Sequence, residues 1–276
     1  MAYELIAFDM DGTLLDSNKE VLPSTVAAVA EAQAAGKTVA IATGRSPQMI
    51  LDYRRILPGV RFATCSAGAM VYDLGENRAL YVQPMENALV KKVIAEADRV
   101  AGAGNYILKV GAADAIYMEE RELAMTERCG IGIYTGILRA AATLVPDAHA
   151  VALDPATRVC KMVLHFPKIS LRDELHAALA DEDLMISDCE VSSVEFTAAG
   201  VNKGSALERL TEVLGLGLSQ AIAVGDAAND VAMLRAAGLG VAMGNALPEA
   251  VAAADVQVAD CDHDGCAEAI HRFLLA

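Results

Sequence analysis

Tryptophan is absent, and aromatic residues make up only 4% of the chain. The aromatic platforms on which single-stranded nucleic-acid binders stack bases are therefore missing. Positive charge is also short: 22 Lys and Arg stand against 37 Asp and Glu, a formal net charge of −15. Such a chain repels phosphate backbones and anionic lipid, so neither a nucleic acid nor a membrane surface is an expected partner. No stretch free of charged residues reaches the roughly 18 residues needed to span a bilayer. The opening Met1-Ala2-Tyr3-Glu4 lacks the basic start and apolar run of a signal peptide, and Leu5 already reads as strand. A cytoplasmic location is expected on that basis. None of the six cysteines (Cys65, Cys129, Cys160, Cys189, Cys261, Cys266) belongs to a C-x-x-C pair, which points to buried thiols rather than a disulfide framework. Cys261-Asp262-His263-Asp264-Gly265-Cys266 has metal-ligand residue types, but its spacing fits no standard zinc module.

What is present is apolar and alternating. Of 276 residues, 54% are apolar, which excludes disorder for the bulk of the chain. Leu5–Phe8, Thr38–Ala42, Phe62–Cys65 and Ala221–Val224 are short continuous apolar runs of the kind that form strands buried on both faces. Helical stretches follow at 24–35, 203–214, 230–237 and 265–275, and a hairpin is expected from Met70–Tyr72 and Leu80–Val82. Strands alternating with helices imply right-handed crossovers and a parallel sheet. The middle reads differently. Helices at 84–100, 119–128 and 171–180 flank strands near 106–110, 115–118, 159–166 and 184–187, a pattern of an α+β module with a partly antiparallel sheet. The expected organisation is a discontinuous core, residues 1–83 and 191–276, interrupted by a module at 84–190.

Four short segments carry chemistry, each just after a strand or at a helix start, where open α/β sheets bind ligands. Asp9-Met10-Asp11-Gly12-Thr13 places two acids two residues apart at a strand end, costly unless a cation or a reaction uses them. Thr43-Gly44-Arg45 offers a hydroxyl and a glycine amide, an anion contact that is weak when read alone. Asn202-Lys203-Gly204 puts a cation at a helix start, against the helix dipole, which makes sense if an anion shares the spot. Gly225-Asp226-Ala227-Ala228-Asn229-Asp230 adds two acids and an amide; with Asp9 and Asp11, Asp226 completes an oxygen-rich set suited to magnesium.

In this order, D-x-D-G-T, T-G-R, N-K-G and G-D-x-x-N-D resemble the haloacid dehalogenase superfamily, and more closely its Cof-type phosphatases, which carry an inserted type IIB cap. Residues 12–42, 31 in all, leave no room for a cap after the first motif, whereas the 159 residues 44–202 far exceed one crossover. The resemblance implies a Rossmann-like, doubly wound α/β core with the 84–190 module as cap. It implies Asp9 as nucleophile and Asp11 as general acid and base. Magnesium would be held by Asp9, the Asp11 carbonyl and Asp226. Met10, Thr43, Gly44, Lys203 and Asn229 would bind the phosphoryl group. Asp230 would orient Lys203 or a metal-bound water, and Arg45 would give support. The implied substrate is a small phosphorylated metabolite. One departure stands out: the family usually has Asn-Gly after the third strand, and here Ala67 precedes Gly68. Rival readings are a phosphomutase on the same fold, disfavoured by the scarcity of Arg in the insert, and a non-catalytic phospho-ligand sensor. The glycine-rich run 238–244 lacks dinucleotide-binding spacing, and His149, His165, His176, His263 and His271 match no catalytic triad pattern.

Overall fold

A computed structural model describes residues 2–276. Fourteen strands are formed among them: β1 Leu5–Phe8, β2 Thr38–Ala42, β3 Phe62–Cys65, β4 Met70–Asp73, β5 Arg78–Val82, β6 Ile107–Ala112, β7 Ile116–Glu119, β8 Ala142–Val145, β9 Val159–His165, β10 Leu184–Cys189, β11 Ser193–Ala198, β12 Ala221–Gly225, β13 Leu239–Ala242 and β14 Val256–Gln257. They fall into two compact units, residues 2–81 with 202–276, and Val82–Val201.

The first unit holds an eight-stranded sheet ordered β14-β13-β12-β1-β2-β3-β4-β5. The pairings from β14 to β3 are all parallel, and β4 runs antiparallel to β3. Strand order progresses one way from β1 through β2 and β3. It then restarts on β1's other side with β12, so the topological switch lies between β1 and β12, where such sheets open a crevice at their carboxyl ends. Apolar side chains line both faces of β1, and Leu5, Ile6, Ala7 and Phe8 are all fully buried. A side chain the size of Phe8 contributes about 1.5–3 kcal/mol by leaving water. Helices Pro23–Ala34, Lys203–Leu214 and Val231–Ala236 are built from the same alternation, the second of them burying Ala206, Leu207, Leu210 and Thr211.

The second unit is a six-stranded sheet ordered β10-β11-β9-β6-β7-β8, antiparallel except for the β7–β8 pair. The helix Asn87–Ala101 buries Val90, Val93, Ile94 and Ala97, the spacing of one helical face, against Leu108, Val110, Met162, Leu164 and Phe196.

Three expectations need correction. The seam expected near residue 190 lies at Val201, because β11 pairs with β10 and β9 and so belongs to the second sheet. The helix expected over 119–128 is one turn, Glu120–Leu123, opened by a capping box between Glu119 and Glu122. The closing helix starts at Gly265 but widens into a π-turn over Ile270–Leu274. Among the described residues no disulfide is formed, and no helix is long and apolar enough to cross a membrane.

Candidate active site

The carboxyl end of β1 delivers Asp9, which is 6% exposed and whose amide is paired to the Val224 carbonyl of β12. Lys203 begins its helix directly opposite, with its Nζ 2.5 Å from Asp9 Oδ1 and 2.6 Å from Asp230 Oδ1. Both Lys203 and Asp230 are buried. The helix start is stabilised independently: Asn202 caps it, its side-chain oxygen accepting from the Gly204 and Ser205 amides. The adverse dipole at Lys203 is thus answered by two carboxylates of the chain itself.

Asp230 also closes the loop after β12. Its Oδ2 accepts from the amides of Asp226 and Ala227, both at 2.9 Å. Those two bonds fix the backbone that carries Asp226, and Thr13 Oγ1 donates to Asp226 Oδ1 at 2.7 Å. Carboxylate oxygens of Asp9, Asp226 and Asp230 come within 4.8 Å of one another. Gly12 makes this approach feasible. It has φ +86°, and a Cβ there would lie 2.5 Å from Asp226 Oδ2.

Three carboxylates share one ammonium, and the electrostatics register the imbalance. Burial raises the Asp9 carboxyl most; Lys203 lowers it and Asp230 raises it, leaving it pushed up to about 7. Burial, then the negative charge of Asp230, raises Asp226 as well. Lys203 is depressed by burial but raised more by Asp9 and Asp230, so it stays charged. An all-oxygen donor set short of positive charge fits a hard divalent cation such as magnesium.

Asp11 points elsewhere. Arg45 grips its carboxylate with two bonds, Nε to Oδ2 at 3.0 Å and Nη2 to Oδ1 at 2.7 Å, and Lys19 Nζ adds a third at 3.1 Å. Burial works against ionisation, but these cations outweigh it and hold Asp11 below the usual carboxylate range. Arg45 therefore touches Asp11. The Met10 amide donates to the Asp9 carboxylate, and the Met10 side chain is fully buried. Thr43 is buried at the end of β2, and its Oγ1 accepts from the Arg45 amide at 3.1 Å. A Cβ on Gly44 would meet nothing within 4 Å, so this glycine is not there to relieve a clash. Asn229 stands exposed in the turn after β12.

Residues 6–270 match the family model described as haloacid dehalogenase-like hydrolase. The chain belongs to that family. The haloacid dehalogenase-like hydrolase resembles pyridoxal phosphate phosphatase YbhA of Escherichia coli (strain K12), at 30% identity over all of both chains. It is also 30% identical to the HMP-PP phosphatase of Citrobacter koseri over 90% of this chain and 86% of that one. Among solved structures, a haloacid dehalogenase-like hydrolase from Bacteroides thetaiotaomicron superposes with a TM-score of 0.81 at 26% identity, covering 98% of this chain and 99% of the other.

The departure of this haloacid dehalogenase-like hydrolase at Ala67 has a local reading. Ser66 and Ala67 both adopt positive φ, 53° and 58°. Asn occupies that left-handed conformation more readily than Ala. Gly68, at φ +113°, is required sterically, since a Cβ would lie 2.3 Å from the Asn202 carbonyl oxygen. Thr13, Lys19 and Asn245 received no role in the motif reading. Thr13 and Lys19 touch Asp226 and Asp11, and Asn245 Nδ2 donates to the Gly12 carbonyl at 2.8 Å. The fixed place of Thr13 in the first motif was its only signal; Lys19 and Asn245 had none. The Cys261–Cys266 run makes no thiol cluster: the Cys266 thiol is buried against the Thr13 carbonyl, and His263 pairs with Asp260.

Proposed function

We propose that this hydrolase is a magnesium-dependent phosphatase acting on small phosphorylated metabolites through an aspartyl-phosphate intermediate. One observation carries the reading: a buried Asp9 at the switch point of the sheet, paired to Lys203 and facing Asp226. Phosphoryl transfer is mostly positioning and charge stabilisation, and this cluster supplies both.

Asp9 would attack phosphorus in line through its carboxylate oxygen, breaking the ester bond and forming an acyl phosphate; water then attacks that phosphorus and releases Asp9 and inorganic phosphate. Lys203 lowers the Asp9 pKa and keeps its carboxylate available, and with the Gly44 amide and the Thr43 hydroxyl it would offset charge on the phosphoryl oxygens. Asp230 positions Lys203 and the Asp226 loop. Asp11 would hand its proton to the leaving oxygen and later take one from the attacking water. For that step its side chain must leave Arg45 and Lys19, which hold it ionised. Asp9, the Asp11 carbonyl and Asp226 would hold magnesium, which when bound supplies charge neutralisation of the phosphoryl group.

The relatives' names, one a pyridoxal phosphate phosphatase and one an HMP-PP phosphatase, support a phosphorylated small molecule as substrate. We assign the 82–201 unit the role of a cap that supplies contacts to the organic part of the substrate. The test is release of p-nitrophenol from p-nitrophenyl phosphate by the purified chain with magnesium. Turnover of several per second supports the reading. Binding of phosphate esters without turnover would instead identify a sensor.

A further inference from the structure

The 82–201 unit carries a second set of buried polar side chains, far in sequence from the four motifs. Strand β9 lies between β11 and β6 and is buried along its whole length. Met162 and Leu164 enter the helix-covered core, so alternation places Lys161, Val163 and His165 on the other face. The register extends that face sideways. His165 is opposite Ser193 of β11 and Ile107 of β6, and Val163 is opposite Glu195 and Lys109. A strand buried on both faces ordinarily reads as a continuous apolar run. Lys161 and His165 break that pattern at a desolvation cost, which calls for a compensating partner.

Part of the compensation is internal. Lys161 Nζ donates to Glu195 Oε2 at 2.9 Å. His165 Nδ1 and Ser193 Oγ are 2.6 Å apart. The rest is not. His165 is 3% exposed, and its Nε2 is enclosed without any hydrogen-bond partner. The neighbouring Lys109 ammonium forms no hydrogen bond or ion pair among the described residues. Burial first, then the Lys161 charge, holds the Lys109 amine below its usual range. Burial and the same two lysines keep the His165 ring neutral. In the tautomer in which the Ser193 hydroxyl donates to Nδ1, Nε2 carries the proton and can donate to a ligand. A half-buried ammonium, with the Glu190 and Glu195 charges nearby, and an enclosed ring nitrogen thus share one sheet face without a hydrogen-bond partner from the chain.

We propose that this face binds an oxyanion, a carboxylate or phosphate, through the Lys109 ammonium with His165 Nε2 beside it. The same chemistry has two sources. One is an acidic group on the organic part of the ester, which rests on the phosphatase reading. The other is a free anion, which does not.

The full chain, with magnesium, is assayed on two esters of similar size: 3-phosphoglycerate, which carries a carboxylate beyond its phosphate, and glycerol 3-phosphate, which does not. Lys109→Met deletes the charge and keeps the length; Lys109→Arg restores the charge. If the ester supplies the anion, Lys109→Met raises KM for 3-phosphoglycerate by about tenfold relative to glycerol 3-phosphate, the loss of one charge-assisted contact. Its kcat is unchanged, and Lys109→Arg recovers most of the KM. If a free anion is the ligand, the KM ratio stays put. Malonate binding by calorimetry is then present in the wild type and in Asp9→Asn, and is weakened about tenfold in Lys109→Met. An unmoved KM ratio together with malonate affinity that is absent from the wild type, or equal in Lys109→Met, overturns the proposal. If the wild type hydrolyses neither ester, the malonate measurement alone decides the anion site, while the phosphatase reading stands or falls on p-nitrophenyl phosphate.

Discussion

Replacing Lys203 by Met tests the electrostatics of the Asp9–Lys203–Asp230 cluster directly. The substitution keeps the length and apolar stem and deletes the ammonium. Lys203 is 2% exposed, Asp9 6% and Asp230 0%, so water screens none of the three appreciably. With the ammonium gone, two carboxylates that lay 2.5 and 2.6 Å from it stay buried with no counter-charge. Removing one partner of a buried pair costs about 3–5 kcal/mol, a large part of the roughly 5–15 kcal/mol that holds a typical protein folded. At roughly 2–4 °C per kcal/mol for domains of this size, Tm should fall by about 10 °C. The measurement is thermal and urea unfolding in EDTA, so that no cation substitutes for the lysine.

The pH dependence has a definite sign. Asp9 is already raised to about 7 in the folded chain, with Lys203 pulling it down. Without Lys203 it rises further, against about 3.9 unfolded. Between those values the folded state binds more protons than the unfolded one, so this group's contribution is present at acid pH and lost as pH rises through the folded value. Below about pH 7 the two forms lose stability alike, so the deficit of Lys203→Met relative to wild type should grow only as pH rises above about 7, where the wild-type Asp9 has already ionised. Adding Asp230→Asn removes one orphaned charge and should recover part of it. A loss below about 1 kcal/mol at pH 7.5, or a deficit that ignores pH, would falsify the view of Lys203 as the buried counter-charge.

Asp9→Asn should abolish turnover while far-UV circular dichroism stays native, because the amide is isosteric but cannot attack phosphorus; retention of more than a few per cent of wild-type rate, about 2 kcal/mol of barrier, sinks the nucleophile assignment. EDTA should remove activity and magnesium restore it, with calcium a poor substitute because its longer bonds and higher coordination number misplace Asp9; full turnover in EDTA contradicts the metal role. Gly12→Ala should cut activity strongly with a smaller effect on stability, since its Cβ would press on Asp226 at 2.5 Å from a residue held at φ +86°; wild-type kinetics in that variant would show that the Asp226 approach is unimportant. Exchanging residues 82–201 for the corresponding unit of a related phosphatase should transfer the donor's substrate ranking and keep magnesium dependence, and an unchanged ranking would place specificity in the core.

Local sequence was enough for the parallel core and for the acids at its strand ends. Runs such as Leu5–Phe8 and Ala221–Val224 are too short and too uniformly apolar for anything but buried strands, and the acids that follow them fall at strand ends whatever the remaining topology. Their places after strands or at a helix start pointed Asp9, Thr43, Lys203 and Asp226 to the carboxyl end of the sheet. It was silent on their pairings, which are contacts over long separations: Lys203 reaches Asp9 across 194 positions, and Thr13 reaches Asp226 across 213. Two acids spaced alike in the first motif take opposite roles, Asp9 toward Lys203 and Asp11 toward Arg45 and Lys19, because different neighbours compete for each. The place of β11 was undecidable for the same reason, since Ser193–Ala198 would suit either sheet and only its ladders with β9 and β10 assign it. Lys109 and His165 read as unremarkable residues until the register set them side by side; periodicity determines which face a side chain takes, and only the tertiary pairing decides what it meets there.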